Sequence, residues 1–343
     1  MAYDRPMFAT LHGAYPATDP GEVADTDLED RVRRVIDDQL EAGLGLLTDG
    51  GAYWPDPGAA VIAALGGPQR PIRSRPLAVD AWAFTAAATP GTPVKQCLPG
   101  PYSLGQRFAS GAASRPDLTL ALADALAGEL VDLAAAGCPF IQVDEDGATG
   151  IGATEAERAL FVEAQRRLTA GFGPSGGPGR PHLSLAIVGG NVDTAGPETI
   201  FGPPYDSYLF DLVAGPDDWR LITQAPPERG IVLGVVDPGS VVTEPEVIVW
   251  AVGYAASAGG RGEARIGIAT TGSLAGLSRA DARRKIDLLG SVVDILDHRH
   301  ERPIAASLDP RAIDARSAAL GRWTPGHRPV GDPADDDGRP GPA

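Results

Sequence analysis

Apolar residues fall in short clusters along this chain, and the clusters follow two different spacings. Compact β-rich runs occupy Met7–His12, Leu44–Asp49, Pro93–Leu98, Pro139–Glu145, His182–Val188, Ser207–Asp211, Ile231–Asp237 and Arg265–Thr270. Each is followed by a turn and usually by a stretch with the apolar spacing of a helix. The clearest helical stretches are Leu28–Ala42, with Val32, Val35, Ile36 and Leu40 on one face, Leu118–Ala136, Thr154–Leu168, Glu244–Ala258 and Ser278–Leu296. Thr154 followed by Glu157 has the form of a capping box. Regular alternation of strand and helix predicts parallel strands, and the eight runs predict an α/β protein built as a single (β/α)8 TIM barrel over residues 1–321. An open, doubly wound sheet is the competing arrangement. No Gly-x-Gly-x-x-Gly turn follows the first run, however, as a dinucleotide-binding sheet of that kind requires. Gly171–Pro181 reads as a Gly/Pro-rich connection. Residues 322–343, poor in apolar side chains and rich in Pro, Gly and Asp, are expected to form a disordered tail.

Composition narrows the class. Apolar residues make up 43% of the 343 and charged residues 22%, enough to fill a large core and too balanced for a disordered chain. Twenty-nine Lys and Arg stand against 45 Asp and Glu, a net charge of −16, which speaks against a nucleic-acid groove or an anionic membrane surface as partner. A small-molecule substrate is the partner expected, with self-association into a homo-oligomer left open. With only Cys97 and Cys138, the chain has neither a disulfide framework nor a four-cysteine metal site. No apolar stretch reaches the roughly 18 residues of a membrane span, and no signal-type segment follows the opening Asp4 and Arg5, so a cytoplasmic location is expected.

In a barrel of this kind the reactive groups gather where the strands end, so the polar residues closing each run are the candidates. The first run ends in His12-Gly13-Ala14-Tyr15-Pro16, the second in Thr48-Asp49-Gly50-Gly51, and the fourth in Asp144-Glu145-Asp146. Carboxylates crowded in a closed cleft have raised pKa values and serve as acids or bases near neutral pH. His182 opens the fifth run, Asn191 follows it, Asp211 closes the sixth and Asp237 the seventh. His298, His300 and His327 lie beyond the eighth.

Taken in order, these segments resemble the catalytic barrel of cobalamin-independent methionine synthase, within the superfamily that also holds uroporphyrinogen decarboxylase. His12-Gly13-Ala14-Tyr15-Pro16 is similar to that family's Ile-Gly-Ser-Phe-Pro. Gln39-Leu40-Glu41-Ala42-Gly43, leading into Thr48-Asp49-Gly50, is similar to its Gln-x-x-x-Gly and Thr-Asp-Gly-Glu. Ala136 to Glu145 is close to its Ala-Gly-Cys-x-x-Ile-Gln-x-Asp-Glu-Pro, and Ser278-Arg279-x-x-Ala282-x-x-Lys285 matches a later segment. The resemblance implies a barrel enzyme in which zinc binds a substrate thiol and a folate supplies a methyl group. The family's His-x-Cys, however, aligns with His182-Leu183-Ser184, its later glutamate with Asp211, and its final cysteine with Gly272. Zinc needs about four N, S or O ligands, and both thiolates are missing, so the zinc site is degenerate and no zinc is expected. The amino-acid pocket changes too: Ala14, Gly51 and Asp146 replace a serine, a glutamate and a proline, while Asp144 keeps the aspartate that pairs with the substrate ammonium.

The resulting expectation is a methyltransferase-like or lyase-like enzyme acting on a small amino-acid or thiol substrate by group transfer or bond cleavage. His182 and Asp211 would form an acid/base pair, Glu145 would complete the catalytic set by holding a cationic substrate with Asp144, and His12, Asp49, Asn191 and Asp237 would also bind substrate. Two other functions fit the same residues: a folate-dependent homocysteine S-methyltransferase, and a non-catalytic ligand-binding relic. A folate is the cofactor that the resemblance allows.

Overall fold

Each strand of the sheet is followed by a helix that returns the chain to the same end, so every strand runs parallel to its neighbours. A computed structural model describes residues 7–18, 27–110, 114–173, 180–239 and 244–298. The strands are β1 (Met7–Thr10), β2 (Lys95–Pro99), β3 (Phe140–Asp144), β4 (His182–Ile187), β5 (Ser207–Asp211), β6 (Gly230–Val236) and β7 (Ile266–Thr270). They hydrogen-bond in the order β1-β7-β6-β5-β4-β3-β2. The helices are α1 (Leu28–Glu41), α2 (Pro57–Ala64), α3 (Val79–Ala87), α4 (Pro101–Phe108), α5 (Arg115–Ala135), α6 (Glu155–Leu168), α7 (Pro197–Phe201), α8 (Trp219–Gln224), α9 (Pro245–Ser257) and α10 (Arg279–Asp297). The five helical stretches expected from periodicity are α1, α5, α6, α9 and α10, within a few residues at each end. The expected tail at 322–343 and the last part of the expected 1–321 domain lie outside the described residues, as do His300 and His327.

The expected second strand, Leu44–Asp49, is corrected to two isolated parallel bridges, Thr10 to Leu46 and Leu47 to Val94, which link β1 to the residue before β2. Backbone bonds join Leu46 to Ala9 and Leu47 to Pro93 and Lys95, and side chains take other backbone groups of the segment. The Gln39 amide donates to the Thr48 carbonyl at 2.8 Å and accepts from the Thr48 N–H at 3.1 Å, and the Thr10 hydroxyl donates to the Leu46 carbonyl at 2.8 Å. A second correction concerns Thr154, whose side chain makes no capping bond. Glu157 turns instead to the Tyr102 hydroxyl at 2.6 Å and to Arg115 at 2.8 Å, tying α6 to α4 and α5.

Because successive strand residues point to opposite faces, each strand divides its side chains between two cores. Ile141, Val143, Leu183, Leu185, Tyr208, Phe210, Leu233 and Ile268 join the large buried layer between sheet and helices. Ala186, Val188, Leu209, Val232 and Ala269, with Phe8 against them, form a separate small cluster on the inner face. Polar contacts bind α10 to its neighbours as well. Asp38 of α1, 5% exposed, accepts from Arg279 of α10 at 2.7 and 2.8 Å and from the Tyr15 hydroxyl at 3.1 Å. Lys285 of α10 donates to the carbonyl of Asp237, just past β6, at 2.8 Å. Among the described residues, no helix is long and apolar enough to cross a membrane.

The close seat of α10 is testable through two helical glycines. A Cβ at Gly290 would stand 1.6 Å from the Ala42 carbonyl oxygen, whereas one at Gly253 in α9 would meet nothing within 4 Å. Gly290→Ala should therefore lower stability by about 1 to 3 kcal/mol through overpacking, and Gly253→Ala should raise it by about 1 kcal/mol through helix propensity. Denaturant unfolding of the two variants checks both signs.

Candidate functional site

The C-terminal ends of the strands surround a cleft of about 500 Å3. Its wall includes His12 after β1, Asp49 after the bridged segment, Gln96 and Cys97 of β2, Asp144 at the end of β3 and Asp146 just beyond it, with Tyr53, Trp54 and Arg107 also facing in. Gly13 lets two of the walls meet. Its φ is +79°, and a Cβ there would fall 2.7 Å from the Ser273 backbone nitrogen, so the loops after β1 and β7 touch only because the side chain is absent.

Alternation explains which of the three consecutive acids reach the cleft. Gln142 and Asp144 share the inner face of β3, and Glu145, one residue on, must point the other way. Glu145 is fully buried and does not line the cleft. It accepts from the Tyr102 N–H at 3.1 Å, the Ser103 N–H at 2.8 Å, the Ser103 hydroxyl at 2.6 Å and the Gln165 amide at 2.5 Å. Glu145 therefore anchors the first turn of α4, where the unpaired N–H groups of a helix favour a negative charge. Gly100 makes room for it, since a Cβ at that position would lie 2.1 Å from the carboxyl carbon. Glu145, expected among the catalytic residues and facing a cationic substrate, is corrected to this anchoring position.

The polar groups of the cleft rest on one another. Lys95, 2% exposed, donates through Nζ to Gln142 Oε1 at 2.8 Å, and Gln142 Nε2 lies 3.0 Å from His12 Nδ1 and 2.7 Å from Asp144 Oδ1. Desolvation pushes the Asp144 carboxyl up to about 6, against the opposing pull of Gln142 and Lys95. Asp146 opens to the solvent of the cleft yet lies low enough within its walls to be pushed up to about 6 as well. Burial raises Asp49, too, whose Oδ1 accepts from the Gly51 N–H at 3.0 Å. The His12 imidazolium is pulled down to about 4 by burial, so the ring is neutral at pH 7. Burial also holds the Cys97 thiol far above its ordinary range, which keeps it a thiol rather than a nucleophilic thiolate.

His182 is corrected most sharply. It is the first residue of β4, and five steps of roughly 3.3 Å separate it from the strand's far end. It sits beside a second cavity of about 330 Å3 with Asp206, Ser207 and Arg229, stacked 4.4 Å from the Phe140 ring and 2.8 Å from the Ser207 hydroxyl. Asp211 closes β5 at the opposite end, so the expected His182–Asp211 pair does not form. The Asp211 carboxylate is spent on loop backbone, accepting from Gly189 at 3.0 Å and from Val213 and Ala214 at 2.9 Å. Asp237 accepts from the Gly239 N–H at 2.8 Å, and Asn191 Oδ1 accepts from the Asp217 N–H at 2.9 Å. Of the expected residues, the structure brings His12, Asp49 and Asp144 together in the cleft, while Asp211, Asn191 and Asp237 hold the loops around it. Lys95, Gln142 and Cys97 are additions. The signal was available: Lys95 and Cys97 alternate along β2 as Gln142 and Asp144 do along β3, and the register sets Cys97 beside Gln142.

The donor set does not fit zinc. Ser184 is buried in β4 beneath the Ser207 hydroxyl at 3.0 Å, Gly272 has no side chain, and Ala186 and Val188 occupy the cleft end of β4. Among the described residues no three His, Cys, Asp or Glu side chains are grouped so as to hold a metal ion.

Comparison with protein-family models and with curated proteins found no match. Solved structures do share the fold. A B12-independent methionine synthase from Shewanella sp. W3-18-1, in complex with selenomethionine, superposes with a TM-score of 0.70 at 16% identity over 85% of this chain and 98% of that one. A putative vitamin-B12-independent methionine synthase from Listeria monocytogenes gives 0.61 at 16% identity, over 80% and 90%. At that identity the similarity is one of architecture.

Truncating the buried anchor tests its assignment. Glu145→Ala should cost about 3 kcal/mol or more, because the Tyr102 and Ser103 N–H groups and the Gln165 amide lose their acceptor in a buried place. A variant unfolding at the wild-type denaturant midpoint would show that Glu145 does not hold α4.

Proposed function

We propose that this chain is a methionine synthase-like barrel enzyme that binds a small amino-acid substrate and acts on it by group transfer or bond cleavage, without zinc held by its own side chains. One observation carries the proposal: Asp49, Asp144 and Asp146 converge on one cleft where His12 and Cys97 are uncharged at neutral pH and the cation in the lining, Arg107, is held by the Asp56 carboxylate at 2.6 and 2.9 Å. Burying carboxylates is costly without a compensating cation, and a ligand ammonium is the compensation that such a mouth selects. The ligand in the Shewanella structure is an amino acid, which agrees with that chemistry.

In this mechanism Asp144 takes the substrate ammonium and Asp146 adds charge beside it. Tyr53 and Trp54 cover apolar parts of the substrate and exclude water, which strengthens the charge pairing. Ser103 lines the cleft, but its hydroxyl is committed to Glu145 and to the Gly147 N–H at 2.9 Å, so it serves as support. Zinc-assisted thiol activation would need donors that Ser184, Gly272 and Val188 do not supply, and no step is routed through it. A folate remains the methyl donor that a transfer reaction on this fold would use.

Calorimetric titration with L-methionine and L-homocysteine tests the proposal. Asp144→Asn should weaken binding by about 2 to 4 kcal/mol, the cost of leaving one partner of a desolvated charge pair unmatched, and should leave the thermal midpoint nearly unchanged. Equal binding by wild type and variant would remove Asp144 from the site.

The pH dependence has a definite sign. Cation binding needs ionised carboxylates, and Asp144 and Asp146 protonate near 6, so affinity should fall as pH drops from above 7 toward 5. His12 stays neutral through that window and adds no opposing titration. Affinity that is flat or rises over this range would contradict the assignment.

A further inference from the structure

We propose that Gln142 is a positioning residue that locks His12 into the tautomer carrying its proton on Nε2, so that His12 meets the ligand as a hydrogen-bond donor and not as a base. Gln142 sits on the inner face of β3 and is 2% exposed. A side-chain amide can be turned either way round when its neighbours are ambiguous, but here the carboxylate beside it fixes the choice. Lys95, whose charged form burial disfavours, donates through Nζ to Oε1 at 2.8 Å. The Asp144 carboxylate only accepts, and it lies 2.7 Å from Nε2. The amide nitrogen must therefore face Asp144 and His12, and its second N–H points at His12 Nδ1, 3.0 Å away. Nδ1 has to accept that hydrogen bond with a lone pair, and a neutral imidazole with a lone pair on Nδ1 carries its proton on Nε2.

The ring has little freedom to escape this arrangement. The His12 N–H donates to the Thr270 hydroxyl at 2.8 Å, and that hydroxyl donates to the His12 carbonyl at 2.9 Å, which fixes the backbone on both sides. His12 lines the cleft, and its Nε2 has no hydrogen-bond partner among the described residues. The charged groups that act on the ring are Asp146 beyond β3, Lys95 on β2 and Asp211 on β5, with Asp144 at 3.8 Å from Nδ1. Burial outweighs them and keeps the imidazole neutral at pH 7.

The consequence narrows the ligand class, and this part rests on the amino-acid reading above. The aspartates accept a cation while His12 Nε2–H requires an acceptor atom, such as a carboxylate or carbonyl oxygen. A ligand carrying both an ammonium and an acceptor satisfies the cleft, whereas a simple amine leaves the His12 donor unmatched.

Long-range nitrogen–proton NMR of the 15N-labelled full chain at pH 7 tests the assignment, with His12→Gln identifying the resonances. Wild type should show His12 with a pyridine-like Nδ1 and a pyrrole-like Nε2. Gln142→Glu replaces the donor facing Nδ1 by an acceptor, so His12 should become protonated at Nδ1 and its titration midpoint should rise by about one unit or more. Gln142→Leu removes the constraint and should give mixed tautomers. A protonated Nδ1 in wild type overturns the proposal even if neither variant folds. Folded variants with unchanged His12 resonances overturn it equally. The spectra need no ligand: failure of L-methionine to bind, beside the expected wild-type pattern, would count against the amino-acid reading alone.

Discussion

A parallel sheet covered by helices buries its inner face, so the polar groups placed there must satisfy one another. Lys95, Gln142, His12 and Asp144 do so in a single connected column, donor to acceptor, from the start of β2 to the mouth of the cleft. No member can be removed without leaving a buried donor or acceptor unpaired, which costs more than the average hydrogen bond returns. The column therefore sets the geometry on which the chemistry of the cleft depends. It also separates the charge states: Asp144 can be ionised near neutral pH, while His12 beside it is not.

Around this column, side chains take over work that backbone ladders do elsewhere. Gln39 and Thr10 satisfy the segment at Leu46–Thr48, where a full strand was expected, and Asp38 with Arg279 and Tyr15 ties α1 to α10. Glu145 plays the corresponding part for α4. These contacts are architectural: they hold helices and loops in place around the cleft, and the fold they support is the one shared with solved structures at 16% identity.

The arrangement of strands and helices was legible in the sequence because it rests on local periodicity. Apolar spacing located seven strands and the five clearest helices, and the turn after each run located the end at which polar groups gather. Asp49, Asp144 and His12 were legible for the same reason, since each directly follows or closes an apolar run. His182 departs from its motif alignment because a residue that begins a parallel strand belongs to the opposite end, whatever it resembles. Glu145 departs from its acidic neighbours because the period of two allows only alternate residues on one face.

What the sequence by itself determined, then, is the order of elements, their parallel sense and the acidic character of the cleft, all of which follow from hydrophobic pattern and local charge. What only the tertiary structure decided is which polar groups share a hydrogen bond. The pairing of Lys95 with Gln142, of Gln142 with His12 across 130 positions of chain, and of Asp38 with Arg279 across 241 depends on strand register and helix packing. Those are long-range properties, fixed when the apolar faces close on one another, and no local pattern encodes them.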